Sequence, residues 1–156
     1  MKKKEIYGYL IGILAAEVTG LFAQLISGAG AGFYSTVQQP PLSPPGWVFP
    51  VVWTVLYALM GAASYRIWRS ETAGRTGALV FYAAQLAVNF FWPIVFFRLE
   101  AFGAAAAVLV VLNILVFLTI LRFMKIDRPA AWLLLPYLLW TLFALYLNLG
   151  VYALNG

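Results

Sequence analysis

Three of the six tryptophans, Trp53, Trp92 and Trp140, lie inside long apolar stretches, where the aromatic belt of a membrane interface does not account for them. At helical spacing each shares a face with polar or aromatic side chains. Such faces favour the binding of a hydrophobic molecule, although the rings would also fill a core. The faces combine Trp53 with Tyr57, Met60 and Ser64, Trp92 with Gln85, Asn89 and Phe96, and Trp140 with Tyr137, Ala144 and Asn148.

Other chemistry is excluded by composition. The chain contains no cysteine and no histidine. Disulfides, thiolate nucleophiles and imidazole ligands are therefore absent, which removes most metal sites and the commonest axial ligands of haem iron. No nucleophile–base pair is apparent, so the sequence argues against ordinary hydrolysis or group transfer. We expect no metal site and no required cofactor.

Glu17 is the only acidic residue inside a predicted span. An ionised carboxylate at the centre of a bilayer costs about 2.5–3.5 kcal/mol, so the side chain should face the interior of the bundle and be protonated. It would serve either as a ligand or proton site, or as a structural carboxyl that bonds to a neighbouring helix or to the loop. The sequence leaves both interpretations open.

The elements that must position these residues are membrane helices. Of the 156 residues, 64% are apolar and 10% charged, and the mean hydropathy is +0.90. A soluble domain has about 25% charged residues, so the main solvent here is lipid. The sequence predicts a single all-α domain of five transmembrane helices, each close to the ~20 residues that a bilayer requires. The predicted spans are 6–26, 47–67, 79–97, 103–124 and 132–151.

Charge predicts the orientation. If the five helices alternate, nine of the ten basic residues fall on one side, and only Arg98, beside Glu100, falls on the other. The positive-inside rule then places the N-terminus in the cytoplasm and the C-terminus outside the cell membrane. The net charge of +5 is thus a topology signal, and no nucleic-acid partner is expected. A cleavable secretory signal is the alternative for the first span, but Glu17 interrupts its apolar run.

Residues 27–46 form a loop without charge between the first two spans, on the predicted external side. Four prolines, Pro40, Pro41, Pro44 and Pro45, fix φ and lower the entropy lost when the loop is held in place. The loop would hang above the half of the bilayer that contains Trp53 and Trp92. It is therefore interpreted as a lid over a binding site, or else as a simple connection.

Small residues mark two surfaces for close helix contact. Gly8, Gly12, Ala16 and Gly20 recur every fourth residue in the first span, and the run 103–107 is glycine followed by four alanines. Both surfaces would serve packing within the bundle or contact with a second copy. A homodimer is expected.

Three stretches resemble the signatures of the TspO, or tryptophan-rich sensory protein, family, whose mitochondrial members are the translocator proteins. They are PPLSPPGWVFPVVWTVLYALMGAASYRIW, AVNFFWPIVFF and LPYLLWTLFALYLN. The resemblance implies a pocket enclosed by five helices and capped by the first loop. It would bind porphyrins such as protoporphyrin, and also isoquinoline carboxamide and benzodiazepine-type ligands. The implied site residues are Tyr34, Trp53, Tyr57, Asn89, Trp92, Trp140, Phe143, Ala144 and Asn148, to which the helical face of Trp92 adds Phe96.

One departure from the family concerns sterols. Animal members carry a tyrosine followed by a basic residue at the end of the fifth helix, whereas Tyr152 is followed by ALNG. A loose match at Leu59, Tyr65 and Arg69 is weak support. A sterol is therefore doubtful as a ligand, and the chain resembles a bacterial member.

Three functions fit the resemblance. The first is a tetrapyrrole-binding protein that promotes light- and oxygen-dependent porphyrin breakdown, with Trp53 and Trp140 as electron donors. The second is a transporter of porphyrins or similar amphiphiles. The third is a sensor that acts through a protein partner.

Overall fold

The structure is a computed structural model that describes residues 3–29 and 32–156; Lys2 and residues 30–31 of the predicted lid lie outside these ranges. The described residues are all-α, without a strand. The helices, in chain order, are α1 (Lys3–Ser27), α2 (Val48–Trp68), α3 (Arg75–Pro93, continued by a π-helical turn at Ile94–Arg98), α4 (Phe102–Met124), α5 (Arg128–Leu133) and α6 (Leu135–Asn155).

Among the described residues, five helical segments are long and apolar enough to cross a membrane, which confirms the predicted architecture. The fifth segment combines α5 and α6. The predicted starts at 79 and 132 are each four residues late, because the third and fifth segments already begin at Arg75 and Arg128. The early start of α5 has a local cause: the Asp127 carboxylate accepts a hydrogen bond from the Ala130 N–H at 3.0 Å and so caps the helix.

Two prolines interrupt the regular backbone. Pro93 has no N–H to donate to the carbonyl of residue 89, and the π-helical turn follows it directly. Pro136 likewise lacks a donor for residue 132, and the fifth segment breaks at Leu134. The wider turn after Pro93 brings the consecutive residues Phe96 and Phe97 both against the core.

The helices form a ring in the order α1, α2, α5–α6, α4, α3. Most of the contact between α2 and the fifth segment is made by α5, so α6 diverges from α2 toward the end of the bundle that carries the loop of residues 32–47. We call this the loop end. Ile67, Phe123 and Leu134 are fully buried at the opposite end, where the core is continuous.

Glycines set the closest approach of α1 and α2. A Cβ atom on Gly12 would lie 2.6 Å from the Gly61 carbonyl oxygen, and a Cβ atom on Gly61 would overlap the backbone of Gly12 and Ile13. On either side of this crossing the space between the helices is filled by rings, with Tyr65 against Gly8 and Tyr57 against Gly20. The small-residue stripe of α1 therefore packs within the bundle.

The second small-residue run behaves similarly. Ala105 and Ala106 are buried between helices, and Gly103 faces the ring of Tyr152. Its other two alanines, at 104 and 107, are exposed on the outside of α4. Neither run presents its whole surface to a second copy of the chain.

An ion pair holds the opposite end. Arg66 on α2 contacts Asp127 with an N–O distance of 2.9 Å, and it also donates to the Tyr9 hydroxyl on α1 at 3.3 Å. Because Asp127 is also the cap of α5, the Arg66–Asp127 pair joins α1, α2 and α5. Its position explains why α2 contacts the fifth segment mainly at this end.

We expect Gly61→Ala to destabilise the protein by about 1–3 kcal/mol, because the added methyl group meets backbone atoms of α1 that have no room to move. The measurement is the free energy of unfolding in detergent. Gly77→Ala is the matched control, since its nearest neighbour would be an Arg122 nitrogen at 3.7 Å. That change should be neutral or stabilising by up to about 1 kcal/mol. Equal effects of the two substitutions would contradict the assignment of the crossing point.

Candidate ligand-binding cavity

A cavity of about 430 Å³ lies at the loop end, enclosed by α1, α2, α3 and the loop. Its volume falls within the range of about 300–1,000 Å³ that is typical of small-molecule sites. It exists because α1 and α2 diverge beyond their glycine crossing, while the Tyr57 ring fills only the first part of the gap. Exposed side chains of Leu21 and Gln24 on α1 and of Thr54 on α2 line it as well, so the cavity reaches the outer surface between these helices.

Aromatic rings from the loop and from α2 form the mouth of the cavity. The ring of Tyr34 stacks on Phe49 with centroids 4.7 Å apart and planes within 11°. The side chain of Gln39 donates to the Tyr34 carbonyl oxygen, which fixes the backbone of this turn. Burial raises the pKa of the Tyr34 hydroxyl well above its usual value, so this group stays protonated and is able to donate a hydrogen bond.

Two indoles form the upper wall. The rings of Trp53 and Trp92 lie 6.3 Å apart between centroids and are tilted by 34°. The Trp92 indole is fixed from behind, because its Nε1 donates to Asn148 Oδ1 at 3.1 Å. Asn148 in turn donates through Nδ2 to the Phe102 carbonyl at 2.8 Å. This pair of bonds ties α3 to α4 and α6 and holds one indole face toward the cavity.

Polar groups are gathered at the floor, where Glu17, Tyr57 and Asn89 line the cavity from α1, α2 and α3 respectively. Asn89 is 2% exposed, and its Nδ2 atom is buried without a hydrogen-bond partner of good geometry among the described residues, although the amide lies beside the Tyr57 and Tyr137 hydroxyls. A buried amide donor left unpaired is costly. In a cavity wall it favours a ligand that brings an acceptor.

The predicted site residues separate into three groups. Five of them line this cavity: Tyr34, Trp53, Tyr57, Asn89 and Trp92. Phe96, Trp140, Ala144 and Asn148 line a void of only about 10 Å³ behind Trp53 and Trp92. Phe143 lies apart from both, in an apolar groove on the outer surface between α2 and α6.

Trp140 is separated by one ring from the cavity between α1, α2 and α3. Phe49 stands between them, with its centroid 5.9 Å from Trp140 on one side and 4.7 Å from Tyr34 on the other. The Nε1 atom of Trp140 is buried and has no hydrogen-bond partner in the described part of the chain. The indole therefore contacts the binding region only through Phe49 and the small void.

Sequence reasoning missed several lining residues. Phe49 precedes Trp53 and Tyr57 by one and two helical turns, and this i, i+4, i+8 spacing was the signal for it. Pro93 and Phe97 follow Asn89 at the same four-residue spacing, so periodicity offered a signal for them too, although Phe97 itself lies in the π-helical turn. Glu17 carried a signal of its own as the only acid inside a predicted span.

The loop is fastened on the far side of the bundle. The Gln38 N–H donates to Asn155 Oδ1 at 2.9 Å, and Asn155 Nδ2 donates back to the Gln38 carbonyl at 2.9 Å. The Tyr146 hydroxyl donates to the Pro41 carbonyl at 2.8 Å. Pro40 packs on Gly150 so closely that a Cβ atom there would overlap its ring. The loop thus runs from the cavity mouth to α6.

Comparison with known proteins identifies the family. The model of the TspO/MBR family matches residues 10–154. The chain belongs to the TspO/MBR family. The match includes most of α1, which the signature stretches did not cover, and it confirms the predicted resemblance. The protein is accordingly a multi-pass membrane protein.

Members of the TspO/MBR family from distant organisms are similar over most of their length. The tryptophan-rich sensory protein of Cereibacter sphaeroides is 42% identical over 123 residues, which cover 79% of this chain and 77% of the relative. The translocator protein of Ovis aries is 38% identical over 131 residues, 82% of this chain and 78% of the relative. The CrtK protein of Rhodobacter capsulatus is 34% identical over 149 residues, 94% and 90% of the two chains.

We expect Asn89→Leu to leave the stability of the empty protein unchanged or to raise it, because the substitution removes an unpaired buried donor. Gln85→Met, one turn away on the same face of α3, is the contrast. Gln85 accepts a 2.8 Å hydrogen bond from the Tyr137 hydroxyl, so its loss should cost about 1–3 kcal/mol. Thermal unfolding in detergent measures both. A destabilised Asn89→Leu protein would show that the amide has a structural partner.

We expect Asn155→Ala to loosen the loop, because it removes both hydrogen bonds to the Gln38 backbone, each worth about 0.5–1.5 kcal/mol. Amide hydrogen exchange in residues 36–42 should become faster, while exchange within α2 stays unchanged. Thr19→Ala is the control, since the Thr19 hydroxyl bonds only to a carbonyl of its own helix. Unaltered exchange in the loop would mean that Pro40 and Pro41 suffice to hold it.

Proposed function

We propose that this protein binds a tetrapyrrole such as protoporphyrin in the cavity at the loop end and promotes its light- and oxygen-dependent breakdown. The observation that supports the proposal best is the combination of stacked aromatic walls with an unpaired amide donor at Asn89. A porphyrin is a flat apolar disc with polar substituents, which suits indole faces and a few hydrogen-bond donors.

The charges suggest one orientation of this ligand. Glu17 makes the floor unfavourable for the anionic propionates, whereas the mouth carries the protonated Tyr34 hydroxyl. The propionates would therefore point toward the loop, with the macrocycle between Trp53 and the opposite wall. Since the chain has neither histidine nor cysteine, a metal-free porphyrin is the better candidate than haem. Isoquinoline carboxamide and benzodiazepine-type ligands would use the same aromatic walls.

The proposed chemistry is photo-oxidative. An excited porphyrin takes one electron from a nearby indole, and molecular oxygen adds to the resulting porphyrin radical anion. Return of the electron restores the indole, and the macrocycle opens with both oxygen atoms in the product. Trp53 lines the cavity directly. Trp140 would act through Phe49, which separates it from the cavity. We expect Trp53 to contribute more than Trp140 for this reason.

The proposed location is the cell membrane, with the N-terminus in the cytoplasm and the loop outside. The distribution of basic residues supports it. The sterol pattern at Leu59, Tyr65 and Arg69 gives no support for a sterol, because Tyr65 packs against Gly8 and Arg69 pairs with Glu5 at 3.0 Å. Tyr65 and Arg69 thus already have partners on α1.

A second candidate function is the transport of porphyrins or similar amphiphiles. The opening between α1 and α2 favours it, since Leu21 and Gln24 are exposed and also line the cavity. A ligand dissolved in the membrane would enter there without crossing the loop. Measurement of protoporphyrin flux into vesicles, with and without a proton gradient, distinguishes transport from breakdown.

The decisive measurement is the absorbance of protoporphyrin added to the purified protein in the dark and under light. We expect saturable dark binding to persist in Trp53→Phe and Trp140→Phe. The light-dependent product should be lost in the first variant and reduced in the second, because phenylalanine is a much poorer electron donor. Trp68→Phe is the control, since Trp68 is exposed at the opposite end of α2.

Two results would count against the proposal. Undiminished product in both Trp53→Phe and Trp140→Phe would remove the electron-donor role and leave a carrier or sensor. Absence of saturable binding to the unmodified protein would rule out a tetrapyrrole as the ligand.

A further inference from the structure

Glu17 is a carboxyl group in a membrane cavity and has no counter-ion among the described residues. It is half-buried and lines the cavity floor, and no hydrogen bond or ion pair joins it to any described residue. The basic residue of the loop end, Arg98, donates to the Ile26 carbonyl at 3.2 Å. Ile26 lies about 13 Å beyond Glu17 along α1, at 1.5 Å per residue. An unpaired ionisable group at this depth is costly to keep without a role.

The surroundings of Glu17 suit a cation. Trp53 and Tyr57 line the same cavity, with ring centroids 5.7 Å apart. Aromatic faces beside a carboxylate attract an ammonium group more strongly than either does alone. Across the floor, the unpaired Nδ2 of Asn89 requires a hydrogen-bond acceptor. The cavity therefore presents one group for a positive charge and another for a carbonyl oxygen.

We propose that the cavity also binds aromatic amphiphiles that carry a protonated amine and a carbonyl group, with the amine at Glu17 and the carbonyl at Asn89. This ligand class differs from the anionic porphyrin of the proposed function, although it rests on the same cavity. Glu17 is the residue that determines specificity for charge, and Asn89 contributes equally to charged and neutral ligands.

A pair of matched probes tests the charge. Tetracaine is an aromatic ester whose tertiary amine is protonated at neutral pH. Its 3-methylbutyl ester analogue has the same shape, with a C–H in place of the amine nitrogen, and is neutral there. Equilibrium dialysis against the protein in phosphatidylcholine nanodiscs measures the binding of both probes. Binding to empty nanodiscs is subtracted, and each affinity is calculated from the concentration of the probe dissolved in the membrane.

We expect the unmodified protein to bind tetracaine about tenfold more tightly than the neutral ester, as is reasonable for one charge-assisted contact. Glu17→Gln keeps the size of the side chain. It should weaken the binding of tetracaine alone and so reduce the ratio of the two affinities to about one. Asn89→Leu should weaken both probes equally and leave the ratio intact, because the probes share the carbonyl.

Two further variants control for position. Glu71→Gln removes one carboxylate from the linker between α2 and α3, at the opposite end, and should change nothing. The double change Glu17→Gln with Gln24→Glu returns a carboxylate to the α1 wall of the same cavity, two turns nearer the mouth. It should restore part of the preference for tetracaine.

The comparison within the unmodified protein does not depend on how any variant folds. Equal affinities of the two probes, absence of binding above empty nanodiscs, or a preference that persists in Glu17→Gln would each overturn the inference. Titration of the same samples with protoporphyrin keeps the two proposals separate. Bound protoporphyrin without charge preference would leave the tetrapyrrole proposal standing, and charge preference without bound protoporphyrin would leave only the amine site.

Discussion

The close contact between α1 and α2 at Gly12 and Gly61 is the constraint on which the rest of the structure depends. Backbone touches backbone there, so the two straight helices must separate on both sides of the crossing. Toward the opposite end Tyr65 fills the widening gap. Toward the loop end Tyr57 fills only its beginning, and the remaining space is the cavity. A single small-residue contact thus produces both a well-packed half and a hollow half of the bundle.

The hollow half is distinguished by polar groups that the protein does not satisfy itself. Trp92 and Asn148 pair with each other, as interior polar groups in a membrane protein should. Asn89 and Glu17, which line the cavity, lack such partners in the described residues. Fixed indoles surround these two free groups, so a ligand would meet preorganised surfaces and would supply the missing partners.

The loop closes the cavity between α1 and α2, but it is held in place by a different helix. It crosses the end of the bundle and is hydrogen-bonded to Asn155 and Tyr146 on the last helix. Motion of α6 relative to α2 would therefore move the ring of Tyr34 at the mouth. The connection between the first two helices is in this way anchored to the fifth segment.

The sequence by itself determined the all-α membrane fold, the five segments and the aromatic faces, because hydropathy and helical periodicity are local properties of the chain. It also singled out Trp53, Asn89 and Trp92 as a shared site. Only the tertiary structure decided that Trp140 lies behind Phe49, outside the cavity that Trp53 and Trp92 line. That outcome depends on where helices cross and diverge, on the proline-induced π turn and on the course of the loop. These are relations between distant segments, which no periodicity within one segment records.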